Sequence, residues 1–278
     1  MLPTRTLGKT KYQATIFGLG GEGILRTTGQ LNEAEQVIKK AVEVGVNYFD
    51  TAPAYQQSRD YLGKFLWKYA KRENIFLASK THERSYEGTM TLLDDSLKRL
   101  NTDYLDLLQL HDLRTKDDID EIFSSNGAIH AVEESMKKGR IKFTGITGHH
   151  DPDILVEAIR KYDFDTLLLC VNAGDPHYLP FINYVIPHAR KKGMGVIGMK
   201  VAAQGYALSA VTMEEALSYS LSQDIDLAII GCRNPKEVEN NANIVRNFKR
   251  LENGELRKIE EKTRNFISET NFFKKGLM

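Results

Sequence analysis

Asp50, Tyr55, Lys80 and His111 are the side chains of this sequence best able to do chemistry together. Each lies at or just past the carboxyl end of a separate apolar run. Residues 46–49 lead to Asp50, with Tyr55 in the loop beyond; residues 75–79 lead to Lys80, and residues 104–110 lead to His111. A phenol of pKa about 10 keeps its proton at neutral pH and can give it to an alkoxide developing on a carbonyl. An ammonium beside it would stabilise the phenolate and lower that pKa. A buried ammonium needs a counter-charge, which Asp50 can supply. A neutral His111 can orient the carbonyl oxygen or relay a proton. Proton donation alone reduces nothing, so the set also calls for a hydride donor, with nicotinamide the expected one. Singly, each residue has an ordinary reading as a rim ion pair, packing or a structural hydrogen bond. Together they point to a carbonyl reductase.

Residues at strand ends need a scaffold that gathers strand ends. Apolar runs at residues 14–19, 46–50, 75–80, 104–110, 141–147, 166–171, 195–200 and 227–230 alternate with helix-like segments. The runs are nearly continuous rather than alternating, as strands buried on both faces should be. Ala34, Val37, Ile38, Ala41 and Val42 form one helical stripe, and Leu92, Leu93, Leu97 and Leu100 another, closed by Asn101. Asn32 with Glu35, and Thr212 with Glu215, have capping-box spacing. Asp151-Pro152 and Asn234-Pro235 place a capping side chain before a proline. Residues 114–139 read as polar first and helical only in their second half.

Eight such units predict an α/β fold, a single (β/α)₈ TIM barrel, whose carboxyl strand ends converge on one face. A short N-terminal hairpin around residues 6–11 should cap the opposite end. The eighth helix should span about residues 235–251, followed by an extra C-terminal helix at about 255–269 and a tail carrying Phe272 and Phe273.

The composition suits such a barrel. Of 278 residues, 41% are hydrophobic and 27% charged, enough to bury a large core without cross-links. A net charge of +1 leaves no broad field for nucleic acid or acidic membranes. Cys170 and Cys232 suggest neither a disulfide framework nor a metal site. No apolar run is long enough to span a bilayer and the N-terminus lacks a signal-like core, so a cytoplasmic location is expected by default.

Gly18-Leu19-Gly20-Gly21-Glu22-Gly23 satisfies the G-x-G-x-x-G pattern of dinucleotide-binding folds. That motif needs a helix to begin inside it, whereas residues 24–30 intervene before the first helix, and Asp50 comes too late for the acidic residue expected about 20 positions on. The expected reading is a glycine-rich turn leaving the first strand.

The chain resembles the aldo-keto reductases. Asp50-Thr51-Ala52-Pro53-Ala54-Tyr55, followed by Ser58 and Leu62-Gly63, is similar to that family's Asp-Thr-Ala-x-x-Tyr segment. Ser79-Lys80 and Leu107-Leu108-Gln109-Leu110-His111 end strands three and four as the family pattern has them, and the likeness runs from Thr6-Leu7-Gly8 to Gly231-Cys232-Arg233-Asn234-Pro235 and Asn241. The resemblance implies one aldo-keto reductase-like barrel domain over residues 1–278. It further implies NADPH-dependent reduction of a small-molecule carbonyl, with Tyr55 as proton donor, Lys80 and Asp50 tuning it, and His111 orienting substrate.

For the cofactor it points to Gly20, Lys200, Gln204, Gly205, Gly231, Arg233 and Asn241. Arg233 beside a helix start suits a 2′-phosphate and favours NADP(H) over NAD(H). The chain departs from the family where nicotinamide is held. Thr147-Gly148-His149-His150 stands in place of Ser-Asn, Leu167–Leu169 replace a strand-six glutamine and leave Asn172 as the nearest amide, and Met199 takes the position of a stacking aromatic. Thr147, Asn172 and Met199 are therefore the candidate nicotinamide contacts. Two other readings stay open: a cofactor-binding sensor or subunit with little turnover, and a Schiff-base aldolase using Lys80 or Lys200.

Overall fold

The computed structural model describes residues 1–277 and opens with an antiparallel hairpin, β1 (Thr4–Thr6) and β2 (Gln13–Thr15). Eight parallel strands then close into a barrel in chain order: β3 (Phe17–Gly23), β4 (Tyr48–Asp50), β5 (Phe76–Thr81), β6 (Leu105–Leu110), β7 (Ile141–Gly148), β8 (Thr166–Cys170), β9 (Gly195–Met199) and β10 (Leu227–Cys232), which returns to β3. This is the (β/α)₈ barrel that the run of apolar segments predicts, with the hairpin at its amino-terminal end.

The helices follow their strands. They are α1 (Leu31–Val44), α2 (Ser58–Tyr69), α3 (Tyr86–Leu100), α4 (Lys116–Ile122), α5 (Ala128–Lys137), α6 (Pro152–Lys161), α7 (Ile186–Lys191), α8 (Met213–Ser222), α9 (Pro235–Arg246), α10 (Asn253–Thr263) and α11 (Ile267–Asn271).

Strands covered on both faces build two cores. Inside the barrel, Tyr48, Phe76, Ala78, Leu107, Leu168, Ile197 and Leu227 pack together, and Leu7 and Ala14 of the hairpin region join them from below. The Tyr48 and Phe76 rings stack at 5.2 Å, and Phe143 continues the stack at 6.1 Å. The lower barrel is thus filled with side chains, which leaves the carboxyl end for chemistry. Outside, the predicted stripe of α1 buries Val37, Ile38 and Ala41 against the strands.

Several boundaries differ from expectation, each for a physical reason. Strand one begins at Phe17, because residues 13–15 belong to the hairpin. The glycine segment is part of this strand rather than a turn leaving it: Phe17 pairs with Ala228, and Gly23 with Cys232. Thr212, Asp151 and Asn234 cap their helices as read, Thr212 in a reciprocal pair with Glu215. Asn32 does not, because α1 already starts at Leu31 and places Asn32 inside the first turn, with Gln30 at the N-cap position. The polar half of residues 114–139 is helical too, as α4, because Thr115 and Asp118 form a capping box with Asp in the usual place of Glu. The eighth helix ends at Arg246. The last helix breaks at residues 264–266, where the Thr263 hydroxyl donates to the Ala173 carbonyl at 2.9 Å and turns the chain back over the barrel.

The tail after α11 is held by a buried ion pair. Lys274 Nζ lies 2.6 Å from Asp175 Oδ1 and donates to the Tyr178 carbonyl at 2.6 Å, with both charged side chains fully buried. Asp175 also accepts from the backbone N–H groups of Phe181 and Ile182. Lys274→Met leaves that carboxylate buried without its cation, so a stability loss of about 3–5 kcal/mol is expected in urea unfolding. A loss under about 1 kcal/mol, the range of exposed pairs, would show that the latch contributes little.

Candidate active site

Strand register brings the predicted residues together. Asp50 on β4 lies opposite Ala78 on β5, and Lys80, two residues on, shares the face of Ala78. Lys80 in turn lies opposite Gln109 on β6, and His111 follows Gln109 by two. A side-chain period of two therefore steps along one interior face from Asp50 to Lys80 to His111. The His111 N–H donates to the Thr81 carbonyl at 2.8 Å and extends the ladder through the histidine.

Lys80 is fully buried and donates to the Asp50 carboxylate and, at 2.9 Å, to the Thr51 carbonyl. Gln109 Nε2 donates to the other Asp50 oxygen at 3.3 Å. Above this pair, the ring of half-buried Tyr55 has Lys80 Nζ 4.9 Å and Arg26 Cζ 5.3 Å from its centroid. The His111 ring meets it edge-on at 5.8 Å. Gly21 makes this possible. A Cβ there would lie 2.9 Å from Tyr55 Cδ2 and 2.8 Å from the Asp50 carbonyl oxygen. The glycine-rich segment thus serves the tyrosine. Gly21, Gln109 and Arg26 were not singled out from the sequence, because their value depends on a neighbour brought in by barrel closure.

Burial dominates the electrostatics. It pushes the Asp50 carboxyl up and the Lys80 amine down, and their mutual attraction opposes both shifts. Tyr55 is driven well above the ordinary phenol value, first by burial and then by the Asp50 and Glu22 carboxylates, with Arg26 opposing. This corrects the expectation that Lys80 lowers it: the charge of Lys80 is matched by Asp50, and its contact is with the ring of Tyr55. His111 is held well below the usual imidazole range, first by burial and then by the Lys80 charge, so it is neutral at physiological pH.

A cleft of 1140 Å³ opens over these residues and runs toward β10 and α9. Asp50, Tyr55 and His111 line it, while Lys80 lies beneath. Gly20, Met199, Lys200, Gln204, Gly205, Gly231, Arg233 and Asn241 line the rest of it. Thr147 and Asn172 do not reach it. Thr147 is buried in β7, where its carbonyl accepts from the Leu113 N–H. Asn172 is fully buried and spends its amide on the Lys200 and Thr270 carbonyls and the Gly174 N–H. The tail supplies Phe272 and Phe273 to the cleft wall, and His149 and Asp112 also line it.

The far end suits an anionic nucleotide. Lys200, Ala203, Gln204 and Gly205 hold left-handed φ values of 57°, 45°, 59° and 100°, so the loop after β9 folds back along the cleft. A Cβ on Gly205 would meet only Arg233 Nη2, at 4.0 Å. That guanidinium stands at the amino terminus of the twelve-residue α9, where helix dipole and side-chain charge have the same sign. A long cleft with proton-bearing groups at one end, and Arg233 beside a helix amino terminus at the other, where Glu214 and Glu237 also line it, has room for a nicotinamide dinucleotide. Among the described residues, no group of three His, Cys, Asp or Glu side chains could hold a metal, and no helix is long and apolar enough to cross a membrane.

Known proteins share this fold. Aldo-keto reductase AKR11C1 of Bacillus halodurans, in its holo form, superposes with a TM-score of 0.79 at 24% identity, over 94% of this chain and 96% of that one. An aldo-keto reductase of Klebsiella pneumoniae, solved in complex with NADPH, gives 0.76 at 18% identity over 95% and 96%. By sequence, the chain is 30% identical to L-galactose dehydrogenase of Arabidopsis thaliana over 217 residues, covering 72% of this chain and 66% of the plant protein. It is also 30% identical to the oxidoreductase YqkF of Bacillus subtilis over 179 residues, covering 59% and 55%. These matches span about half to two thirds of the curated relatives. The model of the Aldo/keto reductase family matches residues 16–216, most of the chain. With the barrel, the strand-end residues and this match in agreement, the chain belongs to the aldo-keto reductase family.

Proposed function

We propose that the chain acts as one barrel domain that reduces an aldehyde or ketone to an alcohol, with NADPH as reductant and Tyr55 as proton donor. The observation that carries this reading is the Tyr55 phenol on the cleft floor, with Lys80 under its ring and neutral His111 at its edge. Bound nicotinamide supplies the hydride. Tyr55 holds the proton and gives it to the carbonyl oxygen as negative charge develops there. His111, neutral and on the same side, donates a hydrogen bond that orients that oxygen. Asp50 and Lys80 form an ion pair beneath the phenol, and the Asp50 carboxylate helps keep the phenol protonated until the transfer. The Schiff-base alternative is disfavoured for Lys80, whose nitrogen is fully buried and bonded to Asp50 and Thr51.

Supplying NADPH with a panel of aldehydes, ketones and quinones and following its oxidation tests the proposal; no consumption across the panel would overturn it. Arg233→Ala should weaken NADPH binding by about tenfold, the scale of one charge-assisted contact, and NADH binding far less. Fluorescence titration with both nucleotides measures this. Equal losses would remove Arg233 from the 2′-phosphate.

A further inference from the structure

His149 follows β7 and lines the cleft near Lys200 and the tail. Its Nδ1 lies 3.5 Å from Asp112 Oδ1 as a charge contact, and both atoms are buried with no hydrogen bond made to either in this structure. Asp112 is firmly placed. It holds a left-handed φ of 56°, Arg84 Nη2 donates to its carbonyl at 3.1 Å, and Arg114 Nε donates to its Oδ2 at 2.8 Å. The ring of His149 is fixed as well, by the edge-on ring of Phe273 at 5.5 Å. Lys200 Nζ sits 5.0 Å from the centroid of that same Phe273 ring.

This geometry selects one tautomer. A carboxylate facing Nδ1 draws the imidazole proton to that nitrogen, and Nε2 keeps its lone pair on the cleft side. Burial and the nearby Lys200 charge oppose a second proton and hold the imidazole down to about 3, although Asp112 pulls the other way. Nε2 is therefore an acceptor. A carboxylate or phosphate oxygen would meet it lone pair to lone pair, and an alkyl group would leave it unpaired, whereas a hydroxyl satisfies it.

We propose that His149, oriented by Asp112, accepts a hydrogen bond from a substrate hydroxyl, and that this cleft prefers hydroxylated aldehydes and ketones over their deoxy counterparts. The assignment rests on the reductase reading given above. A donor on the cofactor, its carboxamide amine, has the same hydrogen-bonding chemistry, so the test separates the two sources.

D-glyceraldehyde and propionaldehyde have the same chain length and differ in their hydroxyls. In the wild-type protein kcat/KM should favour D-glyceraldehyde, and His149→Leu should lower that preference by about tenfold, one net hydrogen bond. If His149 instead held the cofactor, both substrates would fall together and the preference would stay unchanged, which overturns the proposal. The ¹⁵N signals of the His149 ring give a readout that needs no turnover. They should show the Nδ1–H form in the wild type and lose it in Asp112→Asn; an Nε2–H ring in the wild type overturns the assignment. If the wild-type protein reduced neither aldehyde, the reductase reading would fail, and the tautomer would still decide whether His149 is an acceptor.

Discussion

Tyr55→Phe is expected to lower the rate of carbonyl reduction by about a thousandfold, the usual scale for removing a general acid. NADPH affinity should stay close to that of the wild type. The phenyl ring can keep its place over Lys80, against His111 and in the space left by Gly21, so only the O–H is lost. Burial and the carboxylates of Asp50 and Glu22 hold the phenol well above its ordinary pKa. The donor is therefore protonated through the neutral and mildly alkaline range, and the wild-type rate should show no loss there from its ionisation. Single-turnover rates with a saturating aldehyde separate chemistry from binding. A rate within a few fold of the wild type would transfer the proton to another group, His111 being the neighbour able to supply one.

Lys80→Met should cost about 3–5 kcal/mol of folding stability at neutral pH, because it leaves Asp50 as a buried carboxylate with only Gln109 to answer it. The pH dependence follows from the direction of the Asp50 shift. Burial already raises this carboxyl, and Lys80, by charge and by hydrogen bond, is the main influence holding it down. Removing Lys80 lifts it further. A carboxyl whose folded-state pKa lies above its unfolded value contributes most at low pH and loses that contribution as pH rises through the folded value. The deficit of the variant relative to the wild type should therefore widen from acidic to neutral pH. Urea midpoints for both proteins across that range measure the trend, and a deficit that shrank as pH rose would contradict the account. Reduction should be lost as well, since the support beneath Tyr55 goes with the cation.

Much of the site was readable along the chain. Asp50, Lys80 and His111 each end an apolar run, and parallel strands buried on both faces advertise themselves by such runs. Once eight of them close into a barrel, strand ends must meet, and these three do. Capping side chains at Thr212, Asp151 and Asn234 were legible for the same reason, because a cap answers backbone groups only two or three residues away. The Asn32 cap failed because the helix starts one residue earlier, at Leu31, and leaves Gln30 at the N-cap position with no side-chain cap.

What the chain carried locally was the strand rhythm, the helix starts and the acid–base residues at strand ends, all set by interactions spanning a few residues. Closure of the barrel decided the rest. It turned Asn172 inward toward a threonine 98 positions away, brought Lys274 to an aspartate 99 positions away, and set Gly21 against Tyr55. Which way a loop side chain turns, and how far burial shifts its proton, depends on partners that only the folded path supplies, and period and composition hold no record of them.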